Sequence, residues 1–478
     1  MIYVSFSYYL FVAALAILYY LLPLRFRWTA LLAGSLGFYC WMSPGGLPVF
    51  LGTAALSYAL GMCLHWLQGG GRGSHEAKSK NWAGGVCLLL GLITAFAPLL
   101  AVKWGNVSWA APLGISFYSL QIAAYLTDIY RGRIVPLQNP LRYLLFVSFF
   151  PQIVQGPIPR LEQLGGQLFE GHRFDERTFT KGLHLIIWGF FLKFMIADKA
   201  GVVVDAVFDQ FPTYQGFFIL VAGVLYSIQL YADFLACVTL SRGAAGLFGV
   251  ELARNFDRPY RARSIREFWR RWHISLSSWL RDYVYIPLGG NRRGRIAKFI
   301  NLTVVFAVSG VWHGTGWKFL VWGLLHAFYQ IAGELTAPLK KRMYTLLRLP
   351  EDSFARRLLQ TLGTFLWVML AWIIFRAESL ESALMMIRSM FTVYNPWTLF
   401  DGSLFTLGLE GKEFFILLLS VMTLWGVETW QEKRCIRDWI LEQHLIVRWG
   451  IYLAGICLIW IYGTYGFGFG QDFIYGRF

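Results

Sequence analysis

"FINLTVVFAVSGVWHGTGWKFLVWGLLHAF", residues 299–328, is two apolar runs that meet at one ionisable residue, His313, set among Gly310, Gly314 and Gly316. The run 299–312 carries no charge, and Lys318 is the one charged residue in the run 317–333. Apolar stretches approaching 20 residues mark membrane helices. The glycines allow a helix break or a close backbone approach. The stretch therefore reads as two spans that end and begin beside a histidine.

Runs of the same kind extend outward in both directions. They cover 2–23, 28–42, 47–67, 84–103, 112–130, 181–208, 214–232, 357–376, 413–429 and 448–468. Shorter apolar segments at 143–155 and 237–250 read as re-entrant. The expected fold is an all-α polytopic membrane protein of about a dozen helices. Residues 2–23 have no basic leader and no small-residue cleavage site, so they read as a retained first span.

Composition agrees. The chain of 478 residues is 56% hydrophobic and 15% charged, against about 25% charged in a soluble domain. A net charge of +16 would suggest nucleic acid in a soluble protein. Here the basic residues cluster between apolar runs. That is the positive-inside pattern, with membrane lipid as the partner and no nucleic acid. Arg25 and Arg27, then Arg72, Lys78 and Lys80, then Arg131 and Arg133 follow spans one, three and five. The alternate loops "WMSPGG" and "KWGNVSW" are nearly uncharged, which puts the amino terminus outside. "GGGRGSHEAKSKN" (69–81) reads as a flexible loop.

Several chemistries lack their motifs. There is no HExxH or close ligand pair for zinc, no GxSxG elbow, no GxGxxG after a strand and no GxxxxGK[ST]. The six cysteines show no CxxC spacing and mostly lie in apolar segments, as small packing residues. No metal site is expected.

Between residues 254 and 298 the chain carries twelve Lys/Arg against three acids. Ile265, Trp269, Trp272, Leu276 and Trp279 recur at helical spacing, with Arg263, Arg266 and Arg270 on another face. This predicts one helix lying in the cytoplasmic interface, with tryptophans at headgroup level. A lipid anchor explains the pattern as well as an anion site does. His273 falls at the border of the apolar stripe, where a histidine is usually structural. "PLGGNRRG" (287–294) follows as a tight turn back to the membrane.

An ionisable residue within a membrane lines a cavity or a reaction site by default. A neutral imidazole near pH 7 is what a general base requires. A histidine that merely bonds a carbonyl at a kink fits His313 equally well on composition alone. His326, mid-span with no adjacent glycine break, reads as a hydrogen bond between helices.

Two motifs move that balance. "FWRRWHISLSSWLRDYVYIPLGGNRRG" (268–294) followed by "SGVWHGTGWKFLVWGLLHAF" (309–328) resembles the membrane-bound O-acyltransferase family, in its bacterial alginate O-acetyltransferase-like branch. The resemblance extends to 112–132, 149–160 and "DFIYGRF" (472–478). It implies a ring of about 11–13 helices around a central tunnel, in one domain over 1–478. Residues 1–133 are N-terminal helices, 134–340 the catalytic core and 341–478 C-terminal helices. It implies His313 as the catalytic histidine and His273 as the second motif histidine. It implies a cytoplasmic acyl thioester such as acetyl-CoA as donor, with no bound cofactor. The acceptor would be a hydroxyl of an exported polysaccharide or of an extracytoplasmic, esterase-like partner protein, at a bacterial plasma membrane. Arg270, Arg271 and Arg281 are candidates for the donor's phosphates. Trp312, Asp233, Asp282 and Asn291 are further candidate substrate contacts. The sequence departs from the family at "YADFLACVTLSRG" (231–243), where a polar run is common after Asp-Phe, and at Gly476, where an aromatic is common. The rival readings are a polysaccharide or lipid transporter, or a scaffold for a secreted acyltransferase. Neither would carry chemistry of its own.

Overall fold

The computed structural model describes residues 3–69, 82–105 and 111–465. Residues 70–81 of the loop read as flexible, 106–109 of "KWGNVSW" and the terminal "DFIYGRF" lie outside the described residues. Among the described residues there is no strand. The α-helices, in chain order, are α1 (Phe6–Leu21), α2 (Arg27–Met42), α3 (Leu47–Leu67), α4 (Trp82–Trp104), α5 (Ile115–Tyr130), α6 (Pro140–Ser148), α7 (Leu161–Phe169), α8 (Glu176–Phe190), α9 (Asp198–Asp209), α10 (Phe217–Gly246), α11 (Ile265–Arg271), α12 (Ile274–Leu280), α13 (Arg295–His313), α14 (Trp317–Leu335), α15 (Ala337–Leu346), α16 (Phe354–Arg376), α17 (Leu380–Thr392), α18 (Gly411–Trp430), α19 (Ile436–Leu441) and α20 (Leu445–Tyr462).

Seven helical stretches among the described residues are long and apolar enough to cross a membrane: Pro44–Leu67, α4, α10, α13, α16, α18 and α20. The chain is a polytopic all-α membrane protein. Other expected spans fall short of that standard for identifiable reasons. The 16 residues of α1, α2 or α5 rise about 24 Å, less than a hydrocarbon core of ~30 Å. In α14, Lys318, His326, Gln330 and Glu334 dilute an otherwise apolar helix.

Two expected boundaries move. The segment 237–250 is not a separate re-entrant piece, because α10 runs unbroken for 30 residues through Asp233 to Gly246. Asp233 interrupts the apolar run in sequence, but Lys193 pairs with it at 2.8 Å, so the helix continues through it. The expected span 181–208 is divided into α8, a π-helical turn over Phe191–Ala197 and α9.

Internal contacts sort the chain into two compact units. One comprises Ile2–Leu185 and Leu240–Ala253, the other Ile186–Thr239 and Arg254–Phe478. The core of the first is aromatic. Tyr39 stacks on Phe50 at 4.5 Å, and Phe11 and Tyr8 meet Phe150 edge-on. A buried hydroxyl pair, Ser57 and Tyr143 at 2.7 Å, satisfies its polar atoms internally. Helix packing in lipid relies on such contacts because no hydrophobic drive distinguishes helix from acyl chain.

The second unit holds both motif histidines and is organised around the α13–α14 hairpin. A Cβ on Gly323 would meet the backbone oxygen of Phe306, and one on Gly310 would meet that of Phe319. Only glycine lets the two backbones come this close. At the far end of the hairpin Lys298 pairs with Glu334 at 2.5 Å. Behind it Trp322 stacks on Trp372 at 5.7 Å, and Trp372 meets Trp272 at 5.1 Å. All three indoles are fully buried.

The basic segment departs most from expectation. It is not one interfacial helix but two, α11 and α12, broken at His273, which has φ +42°. Trp272, Leu276 and Trp279 are buried by protein rather than placed at headgroup level. The left-handed residue turns the stripe inward, so tryptophans meant for a surface become core.

Candidate active site

His313 is the last residue of α13, and Gly314 caps the helix in an extended conformation. A Cβ on Gly314 would strike the Phe319 ring, so the chain leaves the helix only because this residue has none. The imidazole is 3% exposed. It stands edge-to-face on Trp322 at 5.1 Å and on Phe375 at 5.5 Å. These two rings come from α14 and α16 and set the orientation of the imidazole.

His273 meets the same Trp312 ring. The Trp312 ring is 4.8 Å from His313 and 6.4 Å from His273, and it meets both imidazoles at a steep angle. Phe234 of α10 packs edge-on against His273 at 4.8 Å. His273 is 1% exposed, and burial pushes its imidazole down to about 3, so the ring is neutral at pH 7. The fold thus brings together three predicted site residues, His273, Trp312 and His313.

Two cavities lie in the same unit. A cleft of about 500 Å³ is lined by Arg266, Arg270 and Arg281, by Ser277 and Ser278, and by Lys298, Leu302 and Ser309 of α13. Ser309 is buried one helical turn before His313. A second cleft, of about 810 Å³, is lined by Gly316, Trp317, Lys318 and, from the α16–α17 corner, Glu378, Ser379, Glu381 and Arg388. Gly316 follows His313 by three residues. In the chain His313 therefore falls between a residue of one cleft and a residue of the other, and it lines neither itself.

The remaining predicted residues sort clearly. Arg270 and Arg281 line the basic cleft, as does Asn291, whose Oδ1 accepts from the Tyr285 hydroxyl. Asp282 is buried and holds the Arg281 guanidinium at 2.7 Å. Arg271 does not line the cleft; it pairs with Glu267 at 2.7 Å. Asp233 lines neither cleft. It is buried against Lys193, which also holds Asp198 at 2.9 Å. The next residue, Phe234, is the one that touches His273.

Sequence reading passed over Lys193, Ser309, Trp322, Glu334 and Phe375. Lys193 carried a signal, since a lysine in the apolar run "FFLKFMIA" must find a partner. The aromatic neighbours of His313 carried none, because Phe375 is 62 positions away in the chain. His326 has the structural role expected of it. Trp269 Nε1 donates to its Nδ1 at 3.2 Å, joining α11 to α14 and leaving the ring proton on Nε2.

A buried histidine that shares the Trp312 ring with a second motif histidine, in a polytopic helical chain, agrees with the resemblance to a membrane acyltransferase. Residues 133–380, which include both histidines, match the model of the membrane-bound O-acyltransferase family, and the chain belongs to that family. It is 32% identical over 440 residues to the probable alginate O-acetylase AlgI of Pseudomonas syringae pv. tomato, covering 87% of this chain and 80% of that protein. It is 33% identical over 403 residues to the peptidoglycan O-acetyltransferase of Helicobacter pylori, covering 75% of this chain and 73% of the relative. A teichoic acid D-alanyltransferase of Streptococcus thermophilus is 28% identical over 306 residues, 58% of this chain and 72% of that one. The protein is a membrane O-acyltransferase.

Proposed function

We propose that this enzyme moves an acetyl group from a thioester in the basic cleft to a hydroxyl presented from the second cleft, with His313 as general base. The supporting observation is that buried His313 packs on the Trp312 ring that also meets His273, while its chain neighbours Ser309 and Gly316 each line a cleft.

His313 takes the proton of the acceptor hydroxyl. The alkoxide attacks the acyl carbonyl carbon, and a tetrahedral oxyanion forms. The C–S bond then breaks, the new ester C–O bond remains, and the imidazolium returns its proton to the leaving thiolate. His273, neutral in its buried position, donates a hydrogen bond to the oxygen that becomes negative. Aromatic walls exclude water and so limit hydrolysis of the thioester. Arg270 and Arg281, both exposed at the basic cleft, attract an anionic donor such as acetyl-CoA.

The names of the similar proteins suggest the acceptor class: a hydroxyl of an exported cell-surface polysaccharide, reached directly or through an extracytoplasmic partner protein. The basic end of the α13–α14 hairpin then faces the cytoplasm of a bacterial cell, with the amino terminus outside. Protein in lipid bilayers, given radiolabelled acetyl-CoA and an acceptor polysaccharide, tests the reading. Transfer that requires His313 supports it. Transfer that persists in His313→Ala overturns the assignment of the base.

A further inference from the structure

His273 occupies the N-cap position of α12 but does not cap the helix with its side chain. An N-cap side chain ordinarily accepts one of the helix's first N–H groups, which otherwise have no partner. Here the acceptor comes from 20 positions earlier in the chain: Asn255 Oδ1 takes the N–H of Ser275 at 3.0 Å. The backbone oxygen of Asn255 takes the N–H of Ile274 at 2.9 Å, and the Asp257 N–H donates to Arg271 O at 2.9 Å. These bonds bracket His273 on both sides. They hold it in a left-handed conformation, φ +42°, that a residue with a Cβ rarely adopts. Without them α11 and α12 would be free to close into one helix, and the imidazole would leave Trp312.

Asn255 is 1% exposed. Its amide orientation follows from its partner, because Ser275 N–H is a donor and must face Oδ1. Among the described residues its Nδ2 has no hydrogen-bond partner, so the acceptor carries the interaction. Phe256 fixes the strap from behind, edge-on to Phe234 at 5.0 Å and to Trp272 at 5.0 Å.

We infer that Asn255 is a positioning residue: it caps α12 in place of His273 and thereby holds the His273 imidazole against Trp312. This rests on the reading above that His273 takes part in acyl transfer.

A double-mutant cycle on kcat, in the full-length protein in bilayers with acetyl-CoA and an acceptor, tests it. Asn255→Ala is expected to lower kcat at least tenfold with little change in donor KM. In the His273→Ala background the same substitution should lower kcat less than twofold, because the group it positions is already gone. Asn255→Asp, which keeps the acceptor, should retain most of the activity. Independent losses that multiply in the double variant would overturn the inference, as would full activity in Asn255→Ala. Full activity in His273→Ala would instead overturn the role of His273 itself. Should Asn255→Ala fail to accumulate, Asn255→Ser, with a shorter acceptor, enters the same cycle with the same two outcomes.

Discussion

Lys193 and Asp233 form a buried ion pair at 2.8 Å, and Lys193 holds Asp198 at 2.9 Å on its other side. One cation thus serves two carboxylates, and the pair reaches the active site because Phe234, next to Asp233, packs on His273. The three charges are unequal in what their loss leaves behind. Lys193→Met takes the shared cation from two buried carboxylates and should cost about 3–5 kcal/mol. Asp233→Asn leaves a one-to-one pair with Asp198 and should cost markedly less. Thermal unfolding of the purified protein in detergent ranks the two. A lower midpoint for Asp233→Asn than for Lys193→Met would contradict this account of the cluster.

His313→Ala should reduce the turnover of acyl transfer by ~10²–10⁴-fold, the range for loss of a general base. Protein level in the membrane should hold, because the imidazole stands at a helix end rather than inside α13. The check is single-turnover transfer of labelled acetyl, alongside the amount of folded protein. Turnover within threefold of the parent would remove His313 from the mechanism.

The three arginines read from the sequence as donor contacts should separate. Arg270→Ala and Arg281→Ala should raise the donor KM, roughly tenfold each if one charge-assisted bond is lost. Arg271→Ala should leave KM near the parent value, since its guanidinium is engaged by Glu267 away from the cleft. Raising ionic strength should mimic the first two, because exposed charges are screened. Equal effects of all three would argue against the basic cleft as the donor site.

The left-handed His273 makes a prediction about stability that is separate from catalysis. Glycine adopts positive φ without penalty, whereas alanine pays ~1–2 kcal/mol. His273→Gly should therefore unfold at a higher temperature than His273→Ala, although both lose the imidazole. The reverse order would mean that φ +42° is not a strained conformation at this position.

Much of the architecture was legible in the chain. Apolar runs located α3, α4, α13, α16 and α18 to within four residues, because a span must be continuous to satisfy its backbone in lipid. The break at His273 was not legible. The stripe Ile265, Trp269, Trp272, Leu276, Trp279 keeps helical spacing across it, and periodicity assumes right-handed backbone throughout. What breaks the helix is a set of hydrogen bonds from residues 255–257, outside any window centred on the stripe. Asp233 misled for the same reason, since its partner Lys193 lies 40 positions away.

The sequence by itself determined that this is a membrane protein, that residues 299–328 run apolar, pause at a histidine and run apolar again, and that two histidine motifs occur in a family's order. Those are properties of neighbouring residues, written in local hydropathy and spacing. Only the tertiary structure decided that His273 and His313 both pack on Trp312, that Arg270 and Arg281 face a cleft while Arg271 does not, and that Asn255 caps the helix His273 begins. Each depends on groups brought together by packing, and contacts across 20 to 39 positions leave no periodic trace in the chain.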